Sequence, residues 1–128
     1  MTKVSRDEIK NKGFKGFLKK FKYSAQGLAH AYKNEQGMWL HAAGTVLAVI
    51  LGIIFKLSLI EWAMVAIALG VILASELINT AIEATVDLCT LEIHPLAKIA
   101  KDCASAATFV LTIVSIIIFL CVFVPHFI

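Results

Sequence analysis

The sequence predicts an all-α membrane protein, an N-terminal amphipathic surface helix followed by three transmembrane helices in a small bundle. Three observations predict it. The 128 residues are 59% hydrophobic and only 16% charged, with a mean hydropathy of +0.84, a balance far too apolar for an ordinary soluble domain. Three apolar runs, Met38 to Phe55, Leu59 to Ser75 and Cys103 to Val124, can each cross a hydrocarbon core of about 30 Å as a helix rising about 1.5 Å per residue. Most of the basic residues are gathered before the first run, as in a membrane protein oriented by charge. The expected organisation is a cationic segment at 1–34 and a three-helix transmembrane domain at 35–128, with spans at about 38–55, 59–79 and 103–124.

In the first segment, Phe14, Phe17, Leu18, Phe21, Ala25, Leu28 and Tyr32 form a continuous apolar stripe, while Lys15, Lys19, Lys20, Lys22 and Lys33 supply cations for an anionic leaflet. A plain positive anchor with no further role competes with this surface-helix reading. The first 34 residues are too cationic, and lack the apolar core, for a cleavable signal peptide. Gly13, Gly16 and Gly27 suggest a break or close packing within the segment.

The first span carries Gly44, Ala48 and Gly52 four apart, a ridge of small residues that lets another helix approach closely, within the chain or from a second subunit. Lys56 to Ser58 make a tight turn. Ser58 and Glu61 have capping-box spacing, so the charge of Glu61 belongs to the start of the second span. Pro95 suits a first helical position, and the helix it opens is expected to run into the third span until Pro125. Ala104, Ala106, Ala107 and Thr108 allow close packing early in that span. Three spans alone make a small bundle, so an oligomer is expected.

Nine of twelve basic residues (Lys3, Arg6, Lys10, Lys12, Lys15, Lys19, Lys20, Lys22, Lys33) precede the first run, and Lys98 and Lys101 lie between the second and third. The positive-inside rule then puts the N-terminus and that loop in the cytoplasm and the C-terminus outside, in a multi-pass protein of the inner (plasma) membrane, with Trp39 and Trp62 at opposite interfaces. The net charge of +3 is a topology signal, and no nucleic-acid-binding motif occurs. Cys89, Cys103 and Cys121 have no ligand spacing, which disfavours zinc and disulfides.

The polar chemistry is concentrated in Glu76-Leu-Ile-Asn-Thr-Ala-Ile-Glu-Ala-Thr-Val-Asp87. Glu76, Asn79, Glu83 and Asp87 share one helical face, and carboxylates at membrane depth are costly enough to be functional by default. From Leu59, Glu76 lies roughly 26 Å along the helix, at the inner edge of the hydrocarbon, with Glu83 and Asp87 roughly 10 and 16 Å further. Asn34 and Glu35 precede the first span, and Lys101 and Asp102 the third, at the same level. That level suits transfer of something polar and cytoplasmic onto a membrane lipid alcohol. Glu76, desolvated, would take the hydroxyl proton. Glu35 and Glu83 would hold Mg²⁺ together with phosphate oxygens and waters, and Lys101 would offset phosphate charge. Neither G-x-x-x-x-G-K-S/T nor G-x-G-x-x-G occurs, which excludes the soluble kinase motifs. His30, His41, His94 and His126 are scattered and read as structural, His94 least firmly.

The stretch Glu76 to Asp87, followed by Ala100-Lys-Asp-Cys-Ala-Ser-Ala-Ala107 and preceded by Asn34-Glu35, strongly resembles the small bacterial membrane diacylglycerol kinase family, through a highly specific E-x-x-N-S/T-A-I-E-x-x-x-D pattern and a matching segment order over nearly the whole chain. His94-Pro-Leu-Ala-Lys-Ile-Ala-Lys-Asp102 looks like its Gram-positive branch, whose members are typically undecaprenol kinases. The resemblance implies a homotrimer with active sites between subunits and ATP with Mg²⁺ as donor. It implies Glu76 as catalytic base, Glu35 and Glu83 as metal ligands, and Asn79, Lys101 and Asp102 as members of the nucleotide site, with Tyr23, Glu92 and His94 touching the nucleotide. Two positions depart from the family pattern: Gly16 and Trp39 stand where basic residues are common. Diacylglycerol, giving phosphatidic acid, is the alternative acceptor, and a non-enzymatic cation-binding membrane protein is the alternative class.

Overall fold

The computed structural model describes residues 13–128; Lys3, Arg6, Lys10 and Lys12 of the basic cluster lie outside the described residues. The chain divides into two compact units, one ending at Asn34 and the other comprising Glu35–Ile128.

The first unit holds helix α1 (Phe14–Asn34). Gly13 has φ +102°, a left-handed conformation that glycine adopts without penalty, and its carbonyl accepts from the Phe17 N–H at 3.0 Å. The helix runs through Gly16 and Gly27 unbroken, so these glycines do not interrupt it. Phe14, Phe17, Leu18 and Phe21 are exposed, and the rings of Phe17 and Phe21 meet edge to face at 5.2 Å. At the last turn, Asn34 Nδ2 donates to the His30 carbonyl at 2.8 Å, satisfying one of the orphan acceptors of a helix end.

The second unit is α2 (Gln36–Ile54), α3 (Leu59–Cys89) and α4 (Pro95–Phe127), all three long and apolar enough to cross a membrane. α3 and α4 share the larger interface and α2 packs mainly on α3. Hydroxyls join α3 to α4: Ser115, fully buried, donates to the Ala68 carbonyl at 3.1 Å, and Thr108 to the Ser75 carbonyl at 3.4 Å, the polar contacts that hold helices together where lipid removes the hydrophobic drive. Of the small residues in that part of α4, Ala104 is buried but Ala106 and Ala107 are exposed, which narrows the expected packing face to Ala104 and Thr108.

The turn after α2 fastens the C-terminal end of that helix. Lys56 takes φ +51°, its N–H bonds the Ile53 carbonyl at 3.2 Å, and the Leu57 N–H bonds the Gly52 carbonyl at 3.1 Å. This is a Schellman closure with a lysine at the left-handed position, completed by burial of Leu57. Ser58 then opens α3 through the expected capping box: Glu61 N–H donates to Ser58 Oγ at 3.3 Å and Ser58 N–H to Glu61 Oε2 at 2.7 Å. The second oxygen of Glu61 accepts from His126 Nε2 at 2.8 Å, and Phe55 lies against His126 and Phe127, 4.8 Å from the latter ring. Around this end Ala48, Leu57, Val65, Val122 and Phe123 form the core.

Gly52 belongs to that core for a steric reason. A Cβ there would meet the Trp62 ring at 2.5 Å, so the small-residue ridge of α2 serves packing within the chain at Gly52 and Ala48, while Gly44 faces open space. Trp62 therefore fills an interhelix seam as well as standing at a helix end.

Pro95 occupies the first turn of α4 as expected. The expected stop at Pro125 is corrected: α4 continues to Phe127. Proline lacks the N–H that would bond the carbonyl four residues back, which in a final turn forfeits a single bond and leaves the preceding helix intact.

Candidate functional site

Because α3 is uninterrupted from Leu59 to Cys89, it carries Glu76, Asn79, Glu83 and Asp87 on one face over about 16 Å. The neighbouring helices divide these groups between two environments.

At one end, half-buried Glu76 lines a groove of about 490 Å³ between α2, α3 and α4. Its other walls include Leu40, Leu47, Leu51, Ile72 and Phe119, and Glu76 is the one carboxylate among the lining residues. On α2 the groove extends from Gly37 to Leu51, about 21 Å along the axis. Glu76 Oε1 stands 4.0 Å from where a Cβ on Gly37 would be, so the glycine keeps the approach to the carboxylate free of side-chain atoms. A groove of this length, lined mainly by apolar side chains and acidic at one end, matches the shape of an amphiphile with a single polar terminus. His41, on the same wall, bridges α2 to α3 by donating from Nε2 to the Leu69 carbonyl at 3.1 Å. A carbonyl only accepts, so Nε2 carries the proton of this bond; Nδ1 is buried without a partner.

In the middle of the stripe, Asn79 Nδ2 donates to Glu83 Oε1 at 3.4 Å, and Asn79 Oδ1 is buried with no partner. Glu35 is the N-cap residue of α2, in extended conformation, and its side chain makes no capping bond. Among the described residues no three His, Cys, Asp or Glu side chains stand together as a ready metal cage. The donors that stand together on α3 are hard oxygens, the carboxylate of Glu83 and the orphaned carbonyl of Asn79. They fit a small divalent cation that takes one or two carboxylates from the protein and completes its shell with water and phosphate.

At the other end, the loop between α3 and α4 forms a cup of about 270 Å³. Asp87, Glu92, His94, Lys98, Lys101 and Asp102 all line it. Lys101 Nζ donates to Asp87 Oδ1 at 2.6 Å across the two helices, and Lys98 is hydrogen-bonded to Asp102 one turn along α4. Both lysines precede the apolar run that starts at Cys103. The hydrogen bond that Lys101 donates to Asp87 is the main cause that raises its ammonium above the ordinary lysine value, and the bond to Asp102 does the same for Lys98. Both cations are therefore fixed at neutral pH. His94 is the N-cap of α4, its Nδ1 accepting from the Leu96 N–H at 3.1 Å, and the Glu92 N–H donates to Thr90 Oγ1 at 3.1 Å.

Of the residues singled out from sequence, the structure thus gathers Glu92, His94, Lys101 and Asp102 in one cup and sets Glu76 on a lipid-shaped groove, with Asn79 and Glu83 between them on α3. Tyr23 is exposed on α1, in the other unit. Sequence reasoning missed three features. The Asp87 partner of Lys101 was visible only as the last member of an acidic stripe, because a contact spanning 14 residues has no periodicity. Lys98 had a readable signal, its spacing of four from Asp102. The capping role of His94 had the signal of a side-chain acceptor directly before a proline at the first helical position.

Residues 22–123 match the family described as prokaryotic diacylglycerol kinase. The chain is similar to the undecaprenol kinase of Bacillus subtilis, with 41% identity over 109 residues covering 85% of this chain and 89% of that one. It is similar to the diacylglycerol kinase of Pseudomonas aeruginosa, with 37% identity over 105 residues, 81% of this chain and 85% of the relative. It is also similar to that of Escherichia coli K12, with 31% identity over 115 residues, 90% of this chain and 94% of the relative.

Proposed function

That this chain belongs to the prokaryotic diacylglycerol kinase family, and is therefore a membrane lipid kinase, is the premise from which we propose its reaction: transfer of the γ-phosphoryl group of ATP to the hydroxyl of undecaprenol, at the cytoplasmic face of the plasma membrane. The observation that carries the proposal is the position of Glu76 as the one carboxylate on a long apolar groove. Identity to an undecaprenol kinase at 41% supports the polyprenol as acceptor. Relatives that are diacylglycerol kinases, at 31% and 37%, support diacylglycerol as the second acceptor.

In this mechanism the hydrocarbon chain lies along α2 toward Leu51 and its hydroxyl meets Glu76 beside Gly37. The Glu76 carboxylate accepts the hydroxyl proton as the oxygen attacks the γ-phosphorus in line. The bond from that phosphorus to the bridging oxygen breaks, ADP leaves with the electron pair, and Glu76 returns its proton to water. Lys101 stabilises phosphate charge, and Asp102, Glu92 and His94 contact the nucleotide. Asn79 orients Glu83 through its amide. Glu35 and Glu83 would hold Mg²⁺, which neutralises charge on the phosphates when it enters with ATP. Positioning and electrostatics supply most of the acceleration, as expected where the protein does little covalent work.

The assembly is a homotrimer, a reading supported by a bundle of only three spans and by Gly44, which lines the groove and faces open space. The domain division into a surface segment at 1–34 and a catalytic bundle at 35–128, with the N-terminus cytoplasmic, is supported by the basic residues that precede α2.

The test is phosphate transfer from labelled ATP to undecaprenol and to diacylglycerol presented separately in mixed micelles. Label is expected on both, with kcat/KM at least about tenfold higher for undecaprenol, the size of a discrimination worth one well-placed contact. Preference for diacylglycerol by the same factor would reverse the acceptor assignment, and label on neither would reject the reaction.

A further inference from the structure

Asp87 has no role in the reaction as described, yet it closes a hydrogen-bonded ion pair between α3 and α4 at the rim of the cup. Three observations bear on it. Its partner, Lys101, sits on the wall of the cup that also holds Glu92, His94 and Asp102. The bond is short, 2.6 Å, although the two side chains are 49% and 40% exposed, and exposed pairs of that kind contribute little to stability. Asp102, the carboxylate next to Lys101 in sequence, is engaged by Lys98 instead, so the ammonium of Lys101 is hydrogen-bonded to Asp87 and not to its neighbour.

A lysine is a point charge on a flexible four-carbon stem, and it binds phosphate well only if the ammonium is already in place. We propose that Asp87 is a positioning residue, whose carboxylate draws the Lys101 ammonium across from α4 to α3 and holds it over the cup where the nucleotide phosphates bind. The inference rests on the reading of Lys101 as a phosphate-binding residue. It assigns Asp87 no contact with metal or nucleotide, and so separates it from Glu83, one turn earlier on the same face.

The position of the pair accounts for the arrangement. Asp87 lies two residues before the C-terminal end of α3, and Lys101 lies in the second turn of α4, so the two helices that bound the cup are joined at its rim by this contact. Charge balance fits as well. The carboxylate offsets the lysine while the cup is empty, and an arriving polyphosphate, with more charge and more acceptor oxygens, shares the ammonium without displacing the anchor.

The test is a double-mutant cycle on the full-length protein in mixed micelles, with steady-state ATP titrations at saturating lipid. Asp87→Asn is expected to raise KM for ATP about tenfold and to change kcat by less than about threefold, with most of the loss restored in Asp87→Glu. In a Lys101→Met background the same Asp87→Asn change is expected to alter KM by less than about twofold, because the group it positions is gone. Magnesium titrations of Asp87→Asn are expected to superimpose on the wild type. Equal losses from Asp87→Asn with and without Lys101 would overturn the proposal, as would a displaced magnesium titration, which would make Asp87 a metal ligand. If Lys101→Met alone left KM for ATP unchanged, the reading of Lys101 would fail and this inference with it; additive losses would sink the inference alone.

Discussion

Glu76→Gln is expected to lower kcat by about 10³-fold, within the range attributed to a positioned general base, while both KM values stay within about threefold of the wild type. Glutamine keeps the size and the hydrogen-bonding shape of the side chain, so the groove beside Gly37 is preserved. What is lost is the ability to accept a proton from the attacking hydroxyl. The result is read from phosphate transfer at saturating ATP and lipid, with circular dichroism and the size of the detergent-solubilised assembly as controls for folding. A variant with wild-type turnover would remove Glu76 from the chemistry. A variant that loses helicity or assembly would assign the residue to structure instead, and Glu76→Asp, shorter by one methylene but still basic, would then be the informative change: it should retain measurable transfer only if a carboxylate is required.

Lys101→Met is expected to raise KM for ATP by about 30-fold, in keeping with the loss of a charge-assisted hydrogen bond to a phosphate, with a smaller fall in kcat. Methionine keeps the unbranched apolar stem, so the change isolates the ammonium. The phosphate charge left unbalanced should make binding steeper in magnesium, since more of the neutralisation then falls to the cation. The measurement is a set of ATP titrations at two magnesium concentrations. An unchanged KM would show that the cup does not hold the nucleotide phosphates.

These two residues show which parts of the molecule could be read from the chain and which could not. The existence of three long apolar helices, the capping box at Ser58 and Glu61, and the start of α4 at Pro95 are consequences of local composition and spacing, and the structure has each of them. The common face of Glu76, Asn79 and Glu83 was legible for a related reason, since they lie on one helix and follow from its period; the reading as a lipid kinase came from the family resemblance of that same stretch. Membership of the kinase family also removes the non-enzymatic cation-binding alternative.

What was not legible depends on how helices meet. Glu76 opens onto a groove that α2, α3 and α4 leave between them from Gly37 to Leu51, a consequence of three-dimensional packing that periodicity does not encode. The pairing of Lys101 with Asp87 in place of its neighbour Asp102 is of the same kind. Pro125 was expected to end α4, but a proline so near the end of a helix removes one bond and has little left to interrupt.

The account depends most on the lipid hydroxyl lying at Glu76. The direct measurement is photolabelling of the protein in mixed micelles with an undecaprenol analogue that carries a diazirine beside its hydroxyl, followed by mass spectrometry of the labelled peptides. The predicted result is an adduct confined to Glu76 and its groove neighbours Gly37, Leu40 and His41, competed away by unlabelled undecaprenol. Adducts that fall instead around Phe55, Trp62 and His126, at the opposite end of α2, or that resist competition, would contradict it.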